Sequence, residues 1–447
     1  MKRVLVIVQN LPVPLDRRVW LECQALRDAG YTVSVICPMG PGDPPLATID
    51  DIEIHKYPAP AAASGFVGYL REFVYCWAAT LVRTVRVRRR RGFDVIQACN
   101  PPDTYWALAL LWRPLGVKFV FDQHDLNPEL FRSRFGEPEG RLAKAQLGVL
   151  LWLERRTYRA AHHVITVNES YKQVAMRRGA LSAADVTVVR SGPDTRRMRP
   201  VVPGAPLRGG PRELVYLGIM GPQDGVDILL DAFDVLVHEM GRTDVHLNLL
   251  GFGDCLEDLR AQATRLDLNE HVTFTGRVDG PQIAEYLSRA ELGLDPDPLN
   301  PLNDISTMNK AMEYMAFGLP VVTFDLKETR VSAGDAAVYI TPGDLHGFAK
   351  AIAALLDDDE RRAEMGAYGR RRAVAELDWE PQKRAYVAAF DRLLGTVRPE
   401  SDPGWPAVDR RRSATGERLV NVWGQELVDL RRAADSTGEQ EADDDTP

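Results

Sequence analysis

The chain has 447 residues, a net charge of −8, 26% charged residues and 45% hydrophobic ones. That length buries sizeable cores in two or three domains, and the acidic balance gives no footing for bulk nucleic-acid binding. The five cysteines (Cys23, Cys37, Cys76, Cys99, Cys255) are scattered, odd in number and without a Cys-x-x-Cys pair. That fits reduced thiols in a cytoplasm and argues against a disulfide frame or a zinc site.

Met1, Lys2 and Arg3 carry the charge of a signal-peptide start, but the apolar run 4–8 stops at Gln9-Asn10 and is too short. It reads instead as a buried parallel strand. No uninterrupted stretch of about twenty apolar residues follows, so no membrane span is expected. Short apolar runs then alternate with helical patterns, the signature of βα units and parallel sheets. Strands are predicted at 4–8, 32–37, 95–98, 118–121, 164–167 and 186–189. After a Pro/Gly-rich stretch they restart at 214–217, 246–250, 272–275, 292–294, 320–324 and 337–340. The expected organisation is an N-terminal Rossmann-like domain (1–200), a linker (201–211) and a second Rossmann-like domain (212–375). A closing helix (376–395, with Trp379, Tyr386 and Phe390) then returns to the first domain. Residues 396–447 read as a polar, disordered tail with one short amphipathic piece at 419–430. In open sheets of this kind the carboxyl ends of the strands face a ligand cleft.

Three segments carry chemistry. Residues 306–322 read Ser306-Thr307-Met308-Asn309-Lys310-Ala-Met-Glu313-Tyr-Met-Ala-Phe-Gly318-Leu-Pro320-Val-Val. Ser306 and Thr307 are good N-caps, and Gly318 with Pro320 stops the helix before a buried strand. A hydroxyl-rich helix start after a loop containing Pro301 and Asp304 is an anion site, with free N–H groups and the positive end of the dipole. Lys310 and Glu313 lie on neighbouring parts of one face, where a cation meets phosphate and a carboxylate accepts from ribose hydroxyls. The same spacing also describes an ordinary capped helix with a surface Glu–Lys pair.

In the second segment, 119–129, Asp122, His124, Asp125 and Glu129 crowd a strand end. The plain reading is a capped turn before a helix, with Asp125 or Asn127 capping and Pro128 in its first position. The third, 66–91, repeats Phe66, Tyr69, Phe73, Trp77 and Leu81 near helical spacing and then places six arginines between Arg83 and Arg91. It reads either as a core helix with a solvated basic turn or as an element that rests on anionic lipid.

The 306–322 segment resembles the donor-binding helix of family 4 glycosyltransferases, and the resemblance extends from Arg3 to about Phe390. Further matching pieces are Asp16-Arg17-Arg18-Val19 with Glu22, and Val188-Val-Arg190-Ser191-Gly192-Pro193-Asp194. Leu249-Leu-Gly251-Phe-Gly253 and Val272-Thr-Phe-Thr-Gly276-Arg277-Val278 complete the series. The resemblance implies the α/β GT-B architecture, two Rossmann-like domains with parallel sheets facing a central cleft. It also implies a retaining, metal-independent transfer from a UDP- or GDP-sugar to a hydroxyl of a lipid-linked or glycan acceptor, without a cofactor. In these terms His124, Lys310 and Glu313 form the reacting centre. Arg18, Arg190, Gly221, Gly253, Arg277, Asp304, Ser306, Thr307, Met308 and Asn309 bind the donor, and Asp125, Asn127 and Glu129 shape the acceptor side. Lipid-linked acceptors favour a contact of 66–91 with the inner face of the membrane.

The pattern has gaps. Where the family carries an arginine and a lysine for the diphosphate, the loop 218–225 has Ile219 and Asp224. The backbone of Gly221, with Lys310 and Arg18, is then expected to take over. Pro12-Val-Pro-Leu15 stands in place of a Gly-Gly loop, and Ile305 in place of an earlier glutamate, shifting sugar contacts to Asp304, Asn303 or Asp297. These gaps leave open a nucleotide-sugar-binding scaffold, and a sugar-nucleotide 2-epimerase shares the architecture. A dinucleotide oxidoreductase fits poorly, because Gly251-Phe-Gly253 lacks the third glycine of its fingerprint.

Overall fold

The computed structural model describes residues 2–60, 65–201 and 210–396, with the short pieces 419–420 and 426–427. Most of the expected linker, the tail and its amphipathic piece lie outside the described residues. The chain divides into two compact units at Ser191–Gly192, and the first unit takes the chain back from Pro381.

The first unit begins with β1 (Arg3–Ile7), α1 (Arg17–Asp28), β2 (Thr32–Pro38), β3 (Leu46–Ile49), β4 (Ile52–Tyr57) and α2 (Gly65–Arg90). There follow β5 (Val95–Cys99), α3 (Trp106–Trp112), β6 (Lys118–Gln123), α4 (Asn127–Phe135) and α5 (Gly140–Ala160). β7 (His163–Thr166), α6 (Glu169–Gly179) and β8 (Val186–Val188) end its first pass. Its sheet runs β3-β4-β2-β1-β5-β6-β7-β8 and is parallel except for the β3–β4 pair. Leu5, Ile7, Ile96, Ala98, Phe119 and Phe121 share one buried cluster. They are alternate residues of three adjacent strands and therefore point to one face.

The β3–β4 hairpin is absent from the sequence expectation. Its two turn residues, Asp50 and Asp51, both take positive φ (49° and 62°), the backbone that a tight two-residue hairpin needs. Asparagine and glycine are the usual occupants, and a pair of aspartates gave a weaker cue.

The second unit contains β9 (Arg212–Ile219), α7 (Val226–Asp234), β10 (Val245–Phe252), α8 (Leu256–Arg265), β11 (Val272–Gly276), α9 (Gly280–Arg289) and β12 (Leu292–Asp295). It continues with α10 (Asn309–Phe317), β13 (Val321–Phe324), α11 (Lys327–Ala333), β14 (Ala337–Ile340), α12 (Leu345–Leu356) and α13 (Asp359–Arg372). Its sheet is wholly parallel, in the order β11-β10-β9-β12-β13-β14. Leu214 and Tyr216 of β9 enter a core shared with α7, α8 and α12, whereas Val215 enters another shared with α9 and α10. The strands thus bury both faces and read as continuous apolar runs, the expected pattern for a parallel sheet covered on both sides.

The last helix, α14 (Trp379–Leu394), packs its residues from Pro381 onward in the first unit. Tyr386 donates to Gln97 Oε1 at 2.5 Å, Lys383 to Asp28 at 2.9 Å, and Tyr31 to Asp391 at 2.5 Å.

Candidate active site

In the second unit the strand order reverses between β9 and β12. The carboxyl ends of those two strands border the crevice where open α/β sheets take their ligands. At that edge the loop after β9 meets the loop after β12. Asn303 donates to the carbonyls of Gln223 and Pro298, both at 2.9 Å. Gly225 has φ 65°, and a Cβ there would lie 2.3 Å from the Pro296 carbonyl oxygen, so only glycine lets the loops close.

Lys310 enters this edge from the first turn of α10. Its ammonium lies 3.4 Å from Asp295 Oδ1, bonds Asp297 Oδ2, and stands 5.5 Å from the centre of the Tyr216 ring. Burial works against its charge, yet Asp297 and Asp295 outweigh burial and raise its pKa well above the ordinary lysine value. A cation presented to phosphate was expected; the fold delivers one already paired with two buried carboxylates. Asp295 and Asp297 follow β12 as Asp-Pro-Asp-Pro, a strand-end acid pair whose partner could not be read from local sequence.

The expected caps are also corrected. Met308 is the N-cap of α10 and makes no side-chain cap bond. Ser306 sits earlier, closing the short 3₁₀ turn Asn303–Ile305 and donating from its hydroxyl to the Leu302 carbonyl at 2.8 Å. Thr307 stands between them, half-buried, and Asn309 opens the helix exposed. Glu313 lies one turn beyond, half-buried. Asp304 accepts from the Lys327 amide at 3.0 Å, at the start of α11, so its carboxylate already serves a helix end.

The Gly221 amide, expected to face phosphate, donates to Asp224 Oδ2 at 2.9 Å. The aspartate that replaces the family's lysine thus turns back onto its own loop. Gly253 is a close-approach glycine: a Cβ there would meet the Met220 carbonyl oxygen at 2.4 Å. Arg277 is exposed, with its guanidinium 5.6 Å from the centre of the Phe252 ring.

In the first unit the reversal falls between β1 and β5, and the polar groups gather beside it at the ends of β5 and β6. Asp122, fully buried on β6, accepts from Gln97 at 2.9 Å and Arg18 at 3.2 Å, and its Oδ2 lies 2.9 Å from His124 Nε2. Burial alone would raise this carboxyl; His124 and Arg18 beside it hold it far below the usual range. Glu22 is held well above its ordinary value by burial and by Asp122. The His124 amide donates to Asn100 Oδ1 at 2.7 Å, and Asn100 also accepts from the Asp125 amide and donates to its carbonyl, clamping the turn.

Arg18 was expected to supplement the diphosphate cations. Its guanidinium donates to the Val189 carbonyl and Ser191 Oγ at 2.9 Å, to Asp122, and to His124 Nε2 at 3.1 Å. Its guanidinium is thus engaged within the first unit. Arg190, next along, has its amide bonded to Gln382 Oε1 at 2.9 Å.

On the acceptor side, Asn127 is the first residue of α4, Leu126 is its cap, and Pro128 follows in the second position. The Asn127 amide donates to Asp103 at 2.7 Å. Asp125 is half-buried, its carboxyl pushed up by desolvation. Glu129 is withdrawn: it is buried and bonded to Arg178, which also grips Glu154 at 3.0 Å. Sequence alone showed its charge but not the arginine 49 residues away.

No metal-ligand cluster was expected, yet folding brings one ligand atom each of Glu22, Cys99, Asp122 and His124 within 4.8 Å of one another. Arg18 reaches Glu22 at 3.0 Å as well as Asp122 and His124, so a guanidinium already supplies positive charge to three of the four.

Two doubly wound α/β units, each with polar groups at its switch-point edge, define the class as GT-B. Residues 15–197 match the family model Glycosyltransferase Family 4, and residues 211–358 match Glycosyl transferases group 1. The chain belongs to the family 4 glycosyltransferases. A phosphatidyl-myo-inositol mannosyltransferase of Mycolicibacterium smegmatis is 26% identical over 394 residues, 86% of this chain and 92% of that one. A glycogen synthase of Mycobacterium tuberculosis is 27% identical over 270 residues; the match takes 60% of this chain and spans only 61% of that enzyme's length. Among solved structures, sucrose-phosphate synthase from Thermosynechococcus elongatus aligns with TM-score 0.70 and 18% identity, over 89% of this chain and 100% of that chain. Anabaena HepE in complex with UDP and glucose aligns with TM-score 0.65 and 17% identity, over 88% and 100%. The structural likenesses speak for the fold.

Proposed function

We propose that the enzyme moves a sugar from a UDP- or GDP-sugar to a hydroxyl of a lipid-linked or glycan acceptor, with retention at the anomeric carbon. The observation that carries this is the position of α10, whose Lys310 lies at the switch-point edge against the end of β12, with Glu313 one turn further along the helix. There Glu313 accepts from the ribose, and the diphosphate meets Lys310 once its ammonium leaves Asp297. Names of relatives support both bases: several are GDP-mannose-dependent mannosyltransferases, and HepE was solved with UDP.

The chemical problem is charge, since an oxocarbenium-like sugar forms while negative charge builds on the leaving diphosphate. Fixed donors at that position supply most of the help, and losing one costs roughly a hundred- to a thousandfold in rate. The acceptor proton passes to the leaving phosphate on the same face, a route that uses neither a protein nucleophile nor a metal. The His124 ring takes the sugar side in this reading, with Asp125 and Asn127 beside it.

A contact with anionic lipid through α2 belongs to the same reading. Val74, Ala78 and Val82 form an exposed stripe at four-residue spacing, and Arg86 and Arg89 are exposed beyond it. The rest of the basic run has other work. Arg83 bonds the Lys56 carbonyl, Arg88 the Phe93 carbonyl, and Arg90 and Arg91 pair with Glu53. Phe66 and Tyr69 lie outside the side chains described. No helix among the described residues is long and apolar enough to cross a membrane.

The test is a thermal-shift screen of UDP, GDP and their common sugars against the wild type and Glu313→Ala. Stabilisation by one nucleotide, lost in the variant, is the expected result. Equal stabilisation of both proteins would overturn the donor site.

A further inference from the structure

His124 Nε2 sits between two groups that make opposite demands. Arg18 Nε–H is aligned on it as a donor at 3.1 Å, while Asp122 Oδ2 stands 2.9 Å away as an acceptor. A ring nitrogen either carries a proton or offers a lone pair, so only one of these contacts is a hydrogen bond at a time.

The neighbouring groups decide which. With the proton on Nε2, His124 donates to the Asp122 carboxylate, a charge-assisted bond. Arg18 Nε–H is then released toward Glu22 Oε1, 3.0 Å away. With the proton on Nδ1, a lone pair faces a carboxylate at 2.9 Å, a cost in a dry site.

Asp122 is itself held from behind. Gln97 donates from Nε2 to Asp122 Oδ2 at 2.9 Å and to Glu22 Oε2 at 2.8 Å. The Tyr386 hydroxyl donates to Gln97 Oε1 at 2.5 Å and so fixes which way that amide points. A chain of four side chains therefore runs from α14 through β5 and β6 to the histidine.

We propose that Asp122 is a positioning residue that keeps the His124 proton on Nε2, leaving Nδ1 as the nitrogen that accepts from a substrate hydroxyl, with Gln97 and Tyr386 holding Asp122 in place. The proposal rests on the transfer reading for the substrate that His124 meets, but the tautomer is measurable without turnover.

The experiment is a ring ¹⁵N–¹H correlation spectrum of the ligand-free enzyme at pH 8, with the His124 signals identified by their loss in His124→Gln. The expected pattern is a protonated Nε2 and a bare Nδ1. Asp122→Asn should bring in the Nδ1–H form and lower kcat roughly a hundredfold, with the donor KM within about threefold. Tyr386→Phe should lower kcat about fivefold, the loss of one neutral hydrogen bond. A wild-type ring protonated on Nδ1, or with Nε2 bound to a metal, overturns the proposal, as does an Asp122→Asn enzyme with unchanged tautomer and kcat. The wild-type spectrum decides even if Asp122→Asn does not fold. Absence of turnover with every donor would overturn the transfer reading and leave the spectrum as an independent result.

Discussion

Lys310 on α10 holds its ammonium 3.4 Å from Asp295 Oδ1 at the end of β12, with Asp297 as its second anionic partner. Asp297, desolvated and beside Asp295, has its carboxyl raised well above the ordinary range, and it occupies the ammonium that the proposed function offers to a diphosphate. Asp297→Asn removes a competitor for Lys310 without emptying the space beside it. The expected outcome is a Kd for the cognate nucleoside diphosphate roughly tenfold lower by titration calorimetry, and a Kd raised at least as much by Lys310→Ala. Weaker binding in Asp297→Asn would mean that the aspartate contacts the donor directly.

The alternation of strands and helices was legible because both sheets bury apolar runs between helix layers, and Leu214–Val215–Tyr216 need no distant partner to read as a strand. The hairpin at Asp50–Asp51 was not legible, since its turn uses aspartates where glycine or asparagine is usual. The site divided in the same way. His124 and Glu313 stood out by residue type and place, but what surrounds a charge is set by contacts far along the chain. Arg18 meets Asp122 across 104 positions, and Glu129 meets Arg178 across 49. No local pattern marks a cation as already paired, so Lys310, Arg18 and Glu129 all looked freer in sequence than they are in the fold.

That pairing makes Glu129 and Glu154 a stability element. Both are almost fully buried and share Arg178. Arg178→Met leaves Glu154 without its cation and Glu129 with only Arg132 at 3.9 Å, and should destabilise the first unit by about 3 kcal/mol in urea unfolding. The acceptor KM of the enzyme that remains folded should be unchanged. A raised KM at full stability would return Glu129 to the acceptor side.

The proposed lipid contact takes a sharper form because four of the arginines are engaged within the first unit. Arg86→Ser with Arg89→Ser removes two of the exposed cations beyond the Val74–Ala78–Val82 stripe. At about 1 kcal/mol for each basic residue near an anionic surface, co-sedimentation with phosphatidylglycerol vesicles should weaken roughly thirtyfold. Unchanged binding would remove α2 from the reading.

His163 gives the first unit a pH dependence of definite sign. Its ring lies buried on β7, 2.8 Å from Thr187 Oγ1, and burial, assisted by the charge of Arg392, lowers its pKa to about 4. Below about pH 6.5 the unfolded chain binds a proton at this position that the folded chain refuses. The stabilisation from a neutral His163 is therefore fully present above that pH and is lost progressively as the pH falls toward 4. Between pH 7 and pH 5 the loss amounts to about 2 kcal/mol, at 1.36 kcal/mol for each pH unit below 6.5. His163→Gln cannot take up the proton in either state. Over that interval it should lose about 2 kcal/mol less than the wild type, read from urea unfolding of the two proteins side by side. Equal losses would show that the buried ring ionises within the fold, and its hydrogen bond to Thr187 would then have to rearrange.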